Sequence, residues 1–445
     1  MSEFDRGRSY KKKYISKDLP NNVGRNIINK FNKSNEEDDA KIEIKIKQPT
    51  ILLKAREHEE TIGSPKKNSR DNESSNQTGT FSSNAEAHTI PELKYMHKAV
   101  KFLDDGILFT DNLQDYVRDN SDFLVVAVIG QQGVGKSSIL NVLANNKIKK
   151  DVLNEVFTNN SRNKRDKLSS KFSKLDLDSE KNDSEIFRMQ TAEDIECIRN
   201  RTNGIDIYIS DDRIIYLDCQ PFSSLAIMDD LVENDNKRSN SVSEIIQSEN
   251  SGEIQALQIT SFLMTVCHIF IVVQDWFFDS NTCRFIQASE MMKPTMTNSE
   301  DEVSEYFPHL LLIHNRATVD DFSPSKFKII QKTYKSLFLK SRLILNSNLG
   351  IASGRLVKHL CPETCGPPLN IFLVPEYEEN EGVVFRGHPP MEDIFKKLKG
   401  NMLGVTKNPL THVQLTEKTW LVYCAKVWEN VRKSSFFVEY TKLMP

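Results

Sequence analysis

The sequence predicts an α/β fold, with a mostly parallel sheet flanked by helices. Three features of the chain carry that reading. Several near-continuous apolar runs have strand length: "DFLVVAVIG" from Asp122 to Gly130, the stretch from Cys267 to Val273, "HLLLIHN" from His309 to Asn315, and "NIFLVP" from Asn370 to Pro375. Such runs suit parallel strands covered on both faces. Helical patterns alternate with them, as strand–helix crossovers require. Finally, a glycine-rich loop leaves the first run and opens a helix in "IGQQGVGKSSILNVLA".

Residues 1 to about 90 are rich in Lys, Asn, Ser and Glu and poor in large apolar groups. They read as a disordered N-terminal region. "KIEIKIKQPTILLKA", Lys41 to Ala55, is the exception, with an alternation that suits a strand or a docking peptide. The run Lys11 to Lys13 is too short to assign an address or an RNA contact. A folded domain spans about 91–445. Tyr95, Val100, Leu103 and Ile107 recur at helical spacing, and Leu113 and Tyr116 continue into a second short helix after Gly106. A polar stretch at about 159–185 reads as a disordered insertion, cheap in loop entropy. "GIDIYIS" and "RIIYLDCQ", joined by Asp211-Asp212, form a hairpin. A second polar loop covers about 233–252. "EIQALQITSFLMTVCHIFIVVQDW" is a helix running into a buried strand, and another helix lies at about Lys326 to Leu345. The C-terminal extension, about 390–445, ends in one long helix. There Thr416 is the N-cap, Glu417 favours the first turn, and Trp420, Cys424, Val427, Trp428 and Val431 form an apolar stripe facing the core.

Composition bounds the function classes. The chain has 445 residues, 38% hydrophobic, and a net charge of -3, so global charge selects no polyanionic partner. Its mean hydropathy is -0.48. Seven scattered cysteines do not make a disulfide framework. The longest apolar stretch, around Phe262 to Val273, is shorter than the about 20 residues a membrane span needs. Aromatic and basic residues are not interleaved as in an RNA-binding module. The expectation is a cytoplasmic protein, with a nuclear location also open, that binds neither membrane nor nucleic acid directly.

Gly130 to Ser137 fits the phosphate-loop pattern G-x-x-x-x-G-K-[ST] at every fixed position. Glycines let main-chain N–H groups turn inward, and the helix N-terminus adds positive charge. The expected nucleotide contacts are Gly130, Gly133, Val134, Gly135, Lys136, Ser137 and Ser138, with Lys136 reaching the terminal phosphates. The expected ligand is a purine nucleotide, ATP or GTP/GDP, with Mg2+. Ser137 would ligate the metal. Asp218, the acid at the end of the apolar "RIIYLDC", would serve it from the outer shell or through water, because a carboxylate there needs a cation or donors. Thr202, in "RTNG" before the hairpin, is the third metal candidate. These features place the domain among phosphate-loop NTPases of the G-domain kind.

The hydrolytic signatures depart from that kind. Asn315 stands where a base-reading asparagine would, but "HNRAT" lacks the carboxylate that accepts from guanine. "DCQPF" puts Pro221 where a glycine N–H would sense the terminal phosphate, and proline has no N–H. No glutamine follows to orient a water, and Gln220 precedes that place. Water orientation and charge stabilisation carry most of this catalysis. The expectation is therefore a nucleotide-binding protein that is not an enzyme, the alternative being an active GTPase or ATPase switch. His359, Cys361 and Cys365 lack the fourth ligand and spacing of a zinc site, and Arg386 to Pro389 reads as a turn.

"FLVVAVIGQQGVGKSSILNVL", "TNGIDIYISDDRIIYLDCQPF", "LQITSFLMTVCHIFIVVQDWF", "YFPHLLLIHNRA", "FRGHPP" and "LTEKTWLVYCAKVWENVRKSS" together resemble the SMG-nine family of nonsense-mediated mRNA decay factors. The resemblance runs from about Tyr95 to the C-terminus. It implies a G-domain-like subunit that pairs with the SMG-eight protein and binds the SMG-one kinase. That kinase in turn phosphorylates an RNA helicase. The implied role is regulation of assembly and kinase activity, without kinase chemistry of its own. The family also tends to lack the guanine-reading aspartate. Matched nucleotide contacts are Gly133, Gly135, Lys136, Ser137 and Ser138, with Asp218 and Thr202 less closely matched.

Overall fold

A computed structural model describes residues 94–158, 185–236, 242–275, 279–294, 306–378 and 387–443. The expectations for residues 1–90, for most of the 159–185 insertion and for Arg386 lie outside these residues. The fold is one eight-stranded sheet in the order β2-β1-β4-β5-β3-β6-β7-β8. The strands are β1 (Val100–Asp104), β2 (Ile107–Leu108), β3 (Leu124–Ile129), β4 (Ile205–Ile209), β5 (Ile214–Cys219), β6 (Ile269–Gln274), β7 (His309–Ala317) and β8 (Ile371–Pro375). Five of them, β5-β3-β6-β7-β8, run parallel. β4 joins β5 as the antiparallel hairpin, and β1 and β2 extend that edge, again antiparallel. Every residue of β3, β5, β6 and β8 is buried, as strands covered on both faces must be.

The described helices of nine residues or more are α1 (Lys136–Ala144), α2 (Lys150–Thr158), α3 (Leu225–Asn236), α4 (Val242–Val266), α5 (Ser280–Met291), α6 (Pro324–Leu337), α7 (Met391–Leu403), α8 (Glu417–Lys433) and α9 (Ser435–Leu443). α1 packs with α2 and α7, whereas α4 packs with α3, α5, α8 and α9. No described helix is long and apolar enough to cross a membrane.

Five sequence expectations change. The helix expected through Tyr95 to Ile107 is the β1–β2 hairpin. Asp105 and Gly106 turn it, both with positive φ (44° and 74°), as a two-residue hairpin turn of the Asp-Gly kind demands. The second short helix is a single 3-10 turn, Asp111–Leu113. The polar loop at about 233–252 is largely helical: α3 continues to Asn236, and α4 starts at Val242 and runs through Gly252. The low intrinsic propensity of the polar residues there is outweighed by the longer helix they extend. The helix expected to Leu345 stops at Leu337, and the long C-terminal helix divides at Ser434, whose backbone is extended.

The C-terminal helix completes the core. Thr416 caps it, its side chain accepting from the Thr419 amide. The apolar stripe is buried throughout, and Trp420, fully buried, donates its indole N–H to the Val266 carbonyl at 2.9 Å. Glu417 does more than favour the helix dipole. It is 0% exposed and takes the Arg213 guanidinium through both oxygens. It also accepts from the Arg118 amide at 2.9 Å and from Asn120 at 3.1 Å. Arg213 sits in the β4–β5 turn, so this pair ties the last long helix to the hairpin. Truncating Glu417 to alanine leaves Arg213 buried and unpaired, and urea unfolding is expected to show a loss of about 3–5 kcal/mol. The double substitution Arg213→Met with Glu417→Leu is expected to recover most of it.

Candidate phosphate-binding site

β3 ends at Ile129 and the chain turns through Gly130 to Gly135 into α1. The glycines are sterically required. A Cβ on Gly130 would stand 2.4 Å from the Val273 carbonyl oxygen, and one on Gly135 (φ +90°) 2.5 Å from Asn315 Nδ2. The loop lies at the carboxyl ends of the strands, between β5 and β6, where open α/β sheets bind ligands.

Three of the residues singled out in the sequence meet at one oxygen. Asp218 closes β5, fully buried. Its Oδ2 accepts from the Ser137 hydroxyl at 2.7 Å and from the Thr202 hydroxyl at 3.1 Å. Its Oδ1 is buried with no hydrogen-bond partner among the described residues. Burial pushes the Asp218 carboxyl up to about 6, against the pull of Lys136, Ser137 and Thr202. Burial also lowers the Lys136 ammonium, which Asp218 partly counters. Lys136 donates to the Gln131 carbonyl at 2.9 Å, across its own loop. An orphaned carboxylate oxygen beside two hydroxyls is an all-oxygen donor set, which fits a hard divalent cation such as Mg2+.

Asn315, at the end of β7, spends its amide on the Val134 carbonyl at 2.9 Å. It therefore positions the phosphate loop. The neighbouring Arg316 donates to the Gly133 carbonyl at 3.1 Å and pairs with Asp275 at 3.0 Å. Val134 is buried under the loop, and the Ser138 hydroxyl faces the Met189 sulfur at 3.6 Å. The cavity beside the loop is bordered by Gly133, Gly135, Lys136, Ser137 and Ser138, and also by Arg188, Arg201, Thr202 and Pro221. Arg201 is held by Asp194 at 2.5 Å.

One network escaped the sequence reading. Gln132, at a position the loop motif leaves free, accepts from the Ser224 hydroxyl at 2.8 Å, and Ser224 in turn takes the Asn200 amide at 3.1 Å. This links the phosphate loop to the segments after β5 and before β4. Phe222 is pinned as well, stacked on Phe285 with ring centroids 4.5 Å apart. Gln220 turns inward, accepting from the Gly204 amide at 2.7 Å. His359 reaches the Phe322 carbonyl at 2.9 Å, and among the described residues no group of three His, Cys, Asp or Glu could hold a metal ion.

The raised carboxyl of Asp218 makes a signed prediction. Its proton is held more tightly in the folded protein. Its contribution is therefore fully present below the unfolded value near 4 and is lost as pH rises through about 6. Above that pH the bare carboxylate costs about 3 kcal/mol. Asp218→Asn is expected to raise the melting temperature of the ligand-free protein at pH 7.5 (about 4 units above the ordinary carboxyl value). It is also expected to abolish the Mg2+-dependent part of any nucleotide stabilisation, as differential scanning fluorimetry would show.

No family model matches the chain. The nonsense-mediated mRNA decay factor SMG9 of Salmo salar is 34% identical over 381 residues, covering 80% of this chain and 68% of that protein. The SMG9 of Xenopus laevis is 32% identical over 385 residues, covering 81% and 69%. Among solved structures, the Ski7 GTPase-like domain of S. cerevisiae, bound to GDP and inorganic phosphate, aligns with 49% of this chain and 39% of that one, at 16% identity and a TM-score of 0.24. With its phosphate loop on β3 and its matched length, the chain belongs to the SMG9 family of nonsense-mediated mRNA decay factors.

Proposed function

We propose that this chain is a non-catalytic, nucleotide-holding regulatory subunit acting in nonsense-mediated mRNA decay. In this reading it pairs with the SMG-eight protein, and the pair assembles with and regulates the SMG-one kinase. The kinase's RNA helicase substrate is met only indirectly, and the work is cytoplasmic. A purine nucleotide with Mg2+ is held by the loop amides, Lys136, Ser137 and Ser138. Ser137, Thr202 and Asp218 supply the metal's protein oxygens. A bound metal would neutralise phosphate charge and the unpaired Asp218 carboxylate oxygen together.

Pro221 carries the non-catalytic reading. It borders the cavity beside the phosphate loop, where a main-chain N–H would be needed to follow the terminal phosphate. Gln220 is occupied with Gly204 and cannot position a water. The Gln132–Ser224–Asn200 network and the Phe222–Phe285 stack favour one fixed arrangement of the surrounding segments. A nucleotide would then act as a structural ligand, adding stability by mass action.

Single-turnover assays with ATP and GTP are expected to give hydrolysis no faster than the unstimulated rate of a switch GTPase, about 10⁻⁴ per second. Nucleotide is expected to raise the melting temperature, and Lys136→Ala to remove that gain. Co-purification with SMG-eight protein should weaken in the same variant. Turnover at stimulated rates would establish the switch reading instead.

A further inference from the structure

Arg118 carries two guanidinium nitrogens that nothing described around it satisfies. Its Nε and Nη2 are both buried, and neither meets an acceptor among the described residues. These two N–H groups lie on one side of the planar guanidinium. They form the fork that a carboxylate fills with two parallel hydrogen bonds. Glu417, which accepts from the Arg118 main-chain amide, is already committed to Arg213 and Asn120. The guanidinium lies instead against the Tyr95 ring, 5.4 Å from its centroid, and Tyr95 is 52% exposed. A cation–π contact to a half-exposed ring is weaker than two charge-assisted hydrogen bonds. A buried ionised donor without an acceptor is costly. The ring is therefore a placeholder that an anion can displace.

Arg118 borders a cavity of about 900 Å3, away from the phosphate loop: α1 starts at that loop, and its last residue, Ala144, borders this cavity. Lys147 and Lys149 stand on the rim, opposed by Asp151, Glu155 and Asp211. With Arg118 the cavity thus has three cations against three carboxylates, so it does not draw a polyanion. The deficit is local to the fork. Met96, Val152 and Ile186 supply apolar wall around it.

We propose that this cavity is a docking site for a glutamate or aspartate side chain of a partner polypeptide, gripped by Nε and Nη2 of Arg118. The site is separate from the nucleotide site and does not depend on how that site is read.

The test uses the full chain at about 0.15 M salt. The probes are fluorescein-labelled peptides alternating leucine with glutamate or aspartate, and their glutamine and asparagine counterparts. Fluorescence anisotropy is expected to show saturable binding of the acidic peptides only. Arg118→Gln should weaken it at least about tenfold. Arg118→Lys should also lose most of it, because an ammonium cannot form the fork. Without peptide, Arg118→Met should melt no lower than the original chain, since it removes two buried N–H donors that lack acceptors. Four results would each overturn the proposal. These are no saturable binding of the acidic peptides, equal binding by Arg118→Gln, a clear drop in melting temperature for Arg118→Met, and tighter binding of a phosphopeptide or oligonucleotide of similar length.

Discussion

A single carboxylate organises the phosphate site. Asp218 is drawn entirely out of water at the end of β5, with one oxygen held by two hydroxyls and the other held by nothing. Burying a charge this way is unfavourable unless a cation compensates. Lys136 supplies part of the compensation, and the energetic debt of the remaining oxygen is what a bound metal would relieve. The loop glycines, the position of Asn315 and the β4–β5 hairpin all serve to bring this oxygen, two hydroxyls and the loop amides to one place. The site costs stability when bare and returns it when filled.

The surroundings of that site are stiff. In a nucleotide switch, two segments near the terminal phosphate exchange between arrangements. Here the corresponding stretches are fastened by side chains to each other, to the loop and to the core. Gln132 reaches Ser224, Ser224 reaches Asn200, Phe222 stacks on Phe285, and Gln220 folds back on Gly204. On the proposed reading, these fastenings leave little for a bound nucleotide to change when it loses one phosphate.

How much of this could be read from the chain depended on the kind of signal. Parallel strands buried on both faces are continuous apolar runs, so β3, β5, β6, β7 and β8 were legible, and the phosphate loop is a fixed spacing of special residues. Asp218 stood out because an acid after a buried run demands an explanation. The β1–β2 hairpin was missed because Tyr95, Val100, Leu103 and Ile107 happen to fall three to five apart, which imitates a helix. The Asp105-Gly106 turn was the better signal. Gln132 was invisible because the motif accepts any residue there. Arg118 had no local signature at all: its surroundings are set by Tyr95 and Glu417, both distant in sequence. The tertiary meaning of Glu417 was likewise beyond a reading of its own helix, since Arg213 lies far upstream.

That distance has a consequence for how the chain is made. The hairpin around Arg213 emerges from the ribosome long before Glu417 exists, and Trp420 is needed to close over Val266. Domains tend to form from the N-terminus as synthesis proceeds, yet this sheet has an open flank and an uncompensated guanidinium until α8 is translated. Until α8 emerges, the apolar surface that Trp420 covers stays open, the kind of transient exposure that invites misassembly in larger chains.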